Sequence, residues 1–536
     1  MTDNGTLNSL WSQAIVAGFV AAGVKRAVIS PGSRSTPLAL ALLRQSGLLC
    51  DVTVDERSAA FFSLGIAKAS HRPVLLLATS GTAPANWMPA VMEANQSGVP
   101  LILISADRPP ELQGCGANQT VDQINLFGAQ VRASHALGAP YECFDPAYLH
   151  RLAARVCEQA TWPHPGPVHI NQPFREPLIP RQNIPASVVP ASIYIRQPLL
   201  SPAPDDIKEV CRAISGRPGV IVCGELPEDI HFPQSICALA AQLDCPILAE
   251  PLSNLRFGRH DQSHLAVRYN TWLADVASSA RVRPEWVLRF GAYPVTRNLQ
   301  NHVASVPVQI VIEPWPRWSD PAQRVTHLLR ADPAACCAAL VAASPQPCPA
   351  GWLRSFVELE ESAQPAEKVE HIAAILDQLP ESHAVFVGNS LAIRQLDTHS
   401  GSGNKVLHFY GNRGASGIDG NISTAMGIAA EHGQVLALLG DLTTQHDIGG
   451  LALAQGRDVV IVTVNNAGGG IFDLLPQAAL PEFEKGWRTP QQINFEHAAR
   501  CFGLSYVRAK NAEELRSSVS SAIAKGGPHL IELMLA

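Results

Sequence analysis

Short runs of β-branched or aliphatic residues alternate with helix-length stretches along almost the whole chain, and this alternation constrains the fold most tightly. Strands joined by helical crossovers return to the same end of a sheet and so run parallel. In the first third the strands read as Ala27–Ser30, Val52–Asp55, Val74–Thr79, Leu101–Ser105 and Val168–Asn171. The second third repeats the pattern at Gly219–Cys223, Pro246–Ala249, Trp286–Phe290 and Gln309–Ile312. The last third carries Ala384–Val387, Val435–Leu439, Val459–Val464 and Leu530–Leu533. Two Pro-rich stretches, Pro180–Pro204 and Ala331–Gly351, read as linkers between these thirds. The expectation is an α/β protein with three doubly wound parallel-sheet domains at 1–183, 184–350 and 351–536.

Composition narrows the function. The 536 residues hold 40 Lys+Arg against 46 Asp+Glu, a net charge of −6, which favours neither nucleic acid nor an anionic membrane surface. Charged residues make up only 16%, against about 25% in an average soluble protein, a shortage that suggests large subunit contacts. No run approaches the roughly 18 apolar residues of a membrane span. The start MTDNGTLNSLWSQ lacks a basic region, and Ala14–Val24 reads as an ordinary helix ending near Gly23. Twelve cysteines without a CxxC pair indicate neither a zinc site nor a disulfide framework. A cytoplasmic protein is expected.

Ligands of parallel sheets bind at the carboxyl ends of strands. The nucleotide motifs that often sit there are absent: there is no GxxxxGK[ST], and Gly114-Cys115-Gly116-Ala117-Asn118-Gln119 and Gly468-Gly469-Gly470 do not complete GxGxxG. Instead, strand Val435–Leu439 ends in Gly440-Asp441, and strand Val459–Val464 ends in Asn465-Asn466-Ala467-Gly468. One strand–helix–strand unit places Asp441 and Asn466 at the same end of two parallel strands. A carboxylate, an amide oxygen and a backbone carbonyl near Gly468 make half an octahedron of hard oxygen ligands, which suits Mg²⁺ completed by water and phosphate oxygens. The glycines Gly468–Gly470 are expected to donate backbone N–H groups to a diphosphate. Singly, an Asp or Asn at a strand end is ordinarily just a loop cap; the combined spacing is what points to a metal.

That spacing resembles the diphosphate-binding motif of thiamine-diphosphate enzymes. The resemblance implies a glutamate in the first domain that contacts the cofactor's aminopyrimidine ring. Glu56, in Val52-Thr53-Val54-Asp55-Glu56-Arg57, sits directly after a strand and before a helix, upstream of Thr79-Ser80-Gly81-Thr82. An isolated Glu there would be explained by the helix dipole alone. Five further segments narrow the match: Pro31-Gly32-Ser33-Arg34-Ser35-Thr36-Pro37, Ala106-Asp107-Arg108-Pro109-Pro110-Glu111-Leu112, Gly116-Ala117-Asn118-Gln119, Gly388-Asn389-Ser390 with Arg394, and Asn412-Arg413-Gly414-Ala415-Ser416-Gly417-Ile418-Asp419-Gly420. Together with Ile471-Phe472-Asp473-Leu474-Leu475-Pro476, they resemble the branch that joins 2-oxoglutarate to isochorismate in menaquinone or phylloquinone biosynthesis. The likeness is strong in the first and third domains and loose in the middle one.

The resemblance implies thiamine diphosphate with Mg²⁺ (Mn²⁺ as a possible substitute), and three doubly wound domains of the thiamine-diphosphate type: pyrimidine-binding, middle and diphosphate-binding. It implies a transferase that decarboxylates 2-oxoglutarate and adds the resulting succinyl carbanion to isochorismate. Glu56 would activate the cofactor. Ser416, Gly417, Ile418, Asp441, Asn466, Gly468 and Ile471 would hold it, Ile418 forcing its bent shape, with Asp441, Asn466 and Gly468 on the metal. Both substrates are dicarboxylates, and guanidinium groups grip carboxylates bidentately. Arg34, Arg108, Arg394 and Arg413 would therefore bind substrate, helped by Ser33, Asn118, Gln119, Ser390, Phe472 and Leu475. Arg297, after Gly291-Ala292-Tyr293-Pro294, is either a middle-domain contributor or a surface charge. His446 reads as a helix-start residue rather than a base. Sites between subunits are implied, in a homodimer or a dimer of dimers. Two other readings share part of the pattern: another thiamine-diphosphate enzyme of the acetolactate synthase or decarboxylase type, and a non-catalytic protein on the same fold.

Overall fold

The computed structural model describes every residue except 1, 183, 186–188, 227, 228, 366–368 and 536. It contains three six-stranded sheets. The first is built from β1 (Arg26–Ile29), β2 (Leu49–Val52), β3 (Val74–Ala78), β4 (Leu101–Asp107), β5 (Ala133–Ala136) and β6 (Val168–Pro173), in the order β2-β1-β3-β4-β6-β5. The second holds β7 (Gly219–Cys223), β8 (Ile247–Ala249), β9 (Leu265–Ala266), β10 (Trp286–Phe290), β11 (Val308–Ile312) and β12 (His327–Leu329), in the order β12-β11-β10-β7-β8-β9. The third holds β13 (His383–Val387), β14 (Leu407–Gly411), β15 (Gln434–Gly440), β16 (Asp458–Asn465), β17 (Ser505–Ala509) and β18 (Pro528–Met534), in the order β14-β13-β15-β16-β18-β17. The strand pairs are parallel, for example β1 with β3, β7 with β10 and β15 with β16. The α/β class read from the alternating runs is the observed one. The first and third sheets share one topology, and the middle sheet has a different order.

Two readings need correction. The second strand ends at Val52 rather than running to Asp55, because Leu49–Val52 takes the register of Arg26–Ile29 on β1. Glu56 is consequently the first residue of the helix Glu56–Ser70, whose start is capped by the Asp55 carboxylate accepting from the Ser58 N–H. The stretch Ala331–Gly351 is no linker. It contains the helix Pro333–Ala343, and Ala331, Cys336, Cys337, Leu340 and Cys348 are buried in the core of the middle sheet. The following helix, Trp352–Ser362, buries Phe356 and Leu359 against Val220 and Val287 of the same sheet. Between Pro173 and Pro204, by contrast, no helix or strand occurs among the described residues, and the expected boundary residue 183 lies outside them.

The first and third sheets are not independent bodies. Phe61, Phe62 and Leu76 share one buried core with Phe386, Met426 and Leu439. Its axis is the crossing of helix Glu56–Ser70 with helix Asn421–His432. A Cβ on Gly65 would stand 2.0 Å from the Thr424 carbonyl oxygen and 2.9 Å from the Gly427 Cα. A Cβ on Gly427 would stand 2.1 Å from the Phe62 carbonyl oxygen. Only hydrogen fits at either position, so the two backbones touch. The middle domain joins the third through a buried ion pair: Arg256 donates to the Asp397 carboxylate at 2.6 Å and to the Asp397 carbonyl at 2.7 Å.

The crossing makes a signed prediction. At an exposed helical position Gly→Ala stabilises by up to about 1 kcal/mol. At Gly65 the same change overpacks the crossing and is expected to cost about 1–3 kcal/mol, lowering the thermal unfolding midpoint. An unchanged or raised midpoint for Gly65→Ala would show that the helices have room to spare.

Candidate active site

In the third sheet β13 leads to β14 on one side, and the next strand, β15, lies on the other. The loops leaving β13 and β15 diverge there and open a crevice at the strands' carboxyl ends. A cavity of about 430 Å³ occupies this place. Its wall includes Ser390 and Arg394 after β13, Arg413, Ser416 and Ile418 after β14, Asp441 after β15, and Asn466, Gly468, Ile471 and Phe472 after β16. Gly417 stands between two lining residues, its carbonyl accepting from Asn389 Nδ2 at 2.6 Å. Leu475 is exposed and does not line the cavity.

The register of β15 on β16 sets Gly440 opposite Val464, which brings Asp441 and Asn466 together. Asp441 opens the short helix Asp441–His446, and its carboxylate accepts the Gly468 N–H at 2.6 Å and the Leu442 N–H at 2.9 Å. Burial pushes its carboxyl above the ordinary range, and those two N–H groups pull it back. Oδ1 of Asn466 is buried and has no hydrogen-bond partner among the described residues. A buried acceptor left without a donor, beside a buried carboxylate, is the arrangement a hard divalent cation satisfies. Asp441, Asn466 and the Gly468 carbonyl thus suit such an ion.

One expectation fails here. The N–H groups of Gly468–Gly470 are not free for a diphosphate. Gly468 donates to Asp441, Gly469 to the Arg488 carbonyl at 2.7 Å, and Gly470 to the Gly468 carbonyl at 2.9 Å. The segment Glu484–Thr489 lies against this loop so closely that a Cβ on Gly468 would stand 2.2 Å from the Arg488 carbonyl oxygen. The glycines serve close backbone packing.

Across the cavity, Arg413 donates from Nη1 to Asn389 Oδ1 at 2.5 Å, and its Nε is buried without an acceptor. Arg394 donates to the Ser390 carbonyl at 2.7 Å. Burial lowers the Arg394 pKa, and the Arg413 charge lowers it further. No ion pair links either guanidinium to a carboxylate among the described residues. Glu250 approaches Arg413 from the middle domain; burial first, and the Asp397 charge second, push its carboxyl up to about 8, while the Arg256 and Arg413 charges draw it down. Two adjacent cations with spare donors make an anion site. Ser390 (φ 67°), Ser416 (φ 61°) and Ala467 (φ 60°) hold left-handed backbone at its rim, strain of the kind that gathers at functional loops.

A second cluster occupies the equivalent ends of the first sheet. Arg34 follows β1, the Thr79-Ser80-Gly81 turn follows β3, and Arg108 follows β4. Arg34 donates to the Phe174 carbonyl and the Glu176 carboxylate, both at 2.9 Å, and keeps a buried Nε with no acceptor. Arg108 donates to Ser80 Oγ. Burial lowers its pKa, and the Arg34 charge adds to the effect. Ser80 Oγ donates to the Gln119 carbonyl at 2.8 Å, and Gln119 Nε2 returns a bond to the Ser80 carbonyl at 3.0 Å. Ser33 and Asn118 are exposed beside this cluster, and Glu56 is half-buried at its helix start. None of these six sequence-predicted residues (Ser33, Arg34, Glu56, Arg108, Asn118, Gln119) lines the cavity of the third domain. One chain therefore carries two arginine-bearing clusters at matching places on two like sheets. Arg297 is exposed at the start of its helix, and exposed His446 offers only its carbonyl, to Arg57 at 3.3 Å.

Residue reading missed Asn389, Lys68 and Glu93. Asn389 stood inside a recognised motif and was passed over for its neighbours. The other two lie on helices with no local signal.

The chain was also compared with known proteins. The family model for the N-terminal TPP-binding domain of thiamine pyrophosphate enzymes matches residues 11–126, and that for the C-terminal TPP-binding domain matches residues 396–533. The 2-succinyl-5-enolpyruvyl-6-hydroxy-3-cyclohexene-1-carboxylate synthase of Dechloromonas aromatica (strain RCB) is 62% identical, over 99% of this chain and 99% of its own. Proteins of the same name from Geobacillus kaustophilus (strain HTA426) and Natronomonas pharaonis (strain ATCC 35678) are 38% and 36% identical, each over 98% of this chain and over 94% and 95% of their own. With relatives of that similarity along its full length, the chain belongs to the 2-succinyl-5-enolpyruvyl-6-hydroxy-3-cyclohexene-1-carboxylate synthase family of thiamine-diphosphate enzymes.

Proposed function

We propose that the chain is a transferase that decarboxylates 2-oxoglutarate and adds the remaining four-carbon unit to isochorismate, using thiamine diphosphate and Mg²⁺ or Mn²⁺. One observation carries this reading: the cavity holding the orphaned Asn466 amide oxygen beside buried Asp441 also holds the unneutralised pair Arg394 and Arg413. Asp441, Asn466 and the Gly468 carbonyl would hold the cation. Ser416, Gly417, Ile418 and Ile471 shape the cofactor pocket. When bound, the cofactor supplies the electron sink for decarboxylation and the nucleophilic carbon for addition.

Glu56 would face the aminopyrimidine ring and would hold or accept a proton there. Arg394 and Arg413, with Ser390, grip 2-oxoglutarate through its carboxylates. Arg34 and Arg108, with Ser33, Asn118 and Gln119, grip isochorismate, and Phe472 closes the apolar side. Holding both acids in near-attack geometry while excluding water is what the protein contributes. The acetolactate-type reading leaves Arg394 and Arg413, which no carboxylate pairs among the described residues, unexplained. We read the two clusters as half-sites that a second copy completes, in a homodimer or a dimer of dimers, a reading that the low charge content supports. No helix among the described residues is long and apolar enough to cross a membrane, and small polar substrates support a cytoplasmic location.

Three variants test the assignment. Asp441→Ala removes the only charged protein ligand of the cation and should abolish thiamine-diphosphate binding in calorimetry with Mg²⁺ present, and Asn466→Ala should weaken it. Wild-type affinity in both variants would remove the metal site. Glu56→Gln should cut turnover roughly 10²–10⁴-fold with the cofactor still bound. Wild-type turnover would give the glutamate another task. Losing one charge-assisted bond should cost roughly 10–150-fold. In Arg34→Ala that loss should fall on product formation after isochorismate is added, while single-turnover CO₂ release stays near wild type. In Arg394→Ala CO₂ release itself should fall. Equal loss of CO₂ release in both variants would contradict this division of labour.

A further inference from the structure

The loop that presents Arg413 is fastened by a residue outside its own domain. Glu93, on the first-domain helix Met88–Ser97, is 2% exposed. Its carboxylate accepts the N–H groups of three consecutive loop residues: Gly414 at 2.8 Å, Ala415 at 2.6 Å and Ser416 at 3.4 Å. Lys68 lies 3.8 Å from that carboxylate, donates to the Gly411 carbonyl at 2.6 Å, and stands 3.5 Å from Glu225 of the middle domain. The loop also presses on the helix, since a Cβ on Gly414 would be 2.6 Å from the Glu93 carbonyl oxygen. All three domains thus meet at the backbone that carries one site arginine.

A buried carboxylate is a poor investment if stability is the only return, because its desolvation offsets much of what its partners contribute. What this one fixes is the course of the backbone from Gly411 to Ser416. Among the described residues, Arg413 has one side-chain bond, to Asn389, and a buried Nε with no acceptor. Its guanidinium is therefore placed largely by the backbone on either side of it. We propose that Glu93 is a positioning residue for Arg413: by accepting the Gly414, Ala415 and Ser416 N–H groups it sets the guanidinium for a dicarboxylate, with Lys68 balancing its charge. The proposal rests on the 2-oxoglutarate role given to Arg413 above. It gives the first domain two separate tasks, one in the half-site of Arg34 and Arg108, the other behind the half-site of its own chain.

The test uses the full chain loaded with thiamine diphosphate and Mg²⁺. The probe is glutarate, which keeps both carboxylates of 2-oxoglutarate but has no oxo group to react. Glu93→Gln should weaken glutarate binding in calorimetry about 10-fold, and Arg413→Ala roughly 10–150-fold. The double variant should bind within about 2-fold of Arg413→Ala, because residues acting through one group do not add. Thiamine-diphosphate affinity in Glu93→Gln should fall less than glutarate affinity, because the cofactor-pocket residue Ser416 is held through the longest of the three bonds, at 3.4 Å. Should Glu93→Gln fail to fold, Glu93→Asp keeps the charge on a shorter arm and should give a smaller loss with the same non-additivity. Wild-type glutarate affinity in the folded Glu93 variant, or losses that multiply in the double variant, overturns the proposal. In that case wild type still releases CO₂ from 2-oxoglutarate. A wild type that neither binds glutarate nor releases CO₂ overturns the functional reading and this proposal with it.

Discussion

Two helices touching at glycines, Gly65 and Gly427, fix how the first and third domains of one chain face each other. Each domain would otherwise have a helical flank to bury against water, and each buries it against the other in a single shared core. The contact leaves no room for a Cβ, so the relative placement of the two sheets is set by backbone against backbone rather than by adjustable side chains. The half-sites then sit where this placement leaves them, each at the carboxyl ends of its own sheet. Within the chain they are linked through Arg57, beside Glu56, which donates to the His446 carbonyl at 3.3 Å.

Seen this way, the two like sheets divide one chemical problem. The third sheet offers oxygen ligands for a cation and two guanidinium groups beside them. The first offers a helix-start carboxylate and another guanidinium pair. Both arginine pairs share an electrostatic signature: burial lowers the pKa of one member, Arg108 or Arg394, and its partner's charge adds to the effect. Such pairs cost free energy when empty and recover it when a dianion enters, which suits a reaction between two dicarboxylates. The middle domain contributes without lining the main cavity. Through Glu225 it touches Lys68, and through Glu250, whose carboxyl burial pushes up, it borders Arg413.

The fold was legible where the physics is local. Central parallel strands are covered on both faces and appear as unbroken apolar runs, and Val74–Ala78, Gly219–Cys223 and Trp286–Phe290 were found within one residue. The strands missed or misplaced, β2, β5, β9, β12, β14 and β17, are all edge strands. Most lie partly in solvent and lack a continuous apolar run, as Ala133–Ala136 and Ser505–Ala509 show. The helix Pro333–Ala343 hid in an Ala/Pro/Cys stretch because its small residues carry little amphipathic contrast. At the site, Asp441 and Asn466 were legible from strand ends and spacing. Glu93 was not, because its partners lie more than 300 positions away and nothing near it in sequence marks a task.

The central claim is that a working site takes Glu56 from one copy and Asp441 from another. Mixing Glu56→Gln and Asp441→Ala chains, each inactive alone, under conditions that exchange subunits tests it directly. Half of randomly assorted dimers would be mixed, each with one intact site, so activity should recover to about a quarter of wild type. No recovery, with subunit exchange confirmed, would place both residues in a single-chain site and contradict the account.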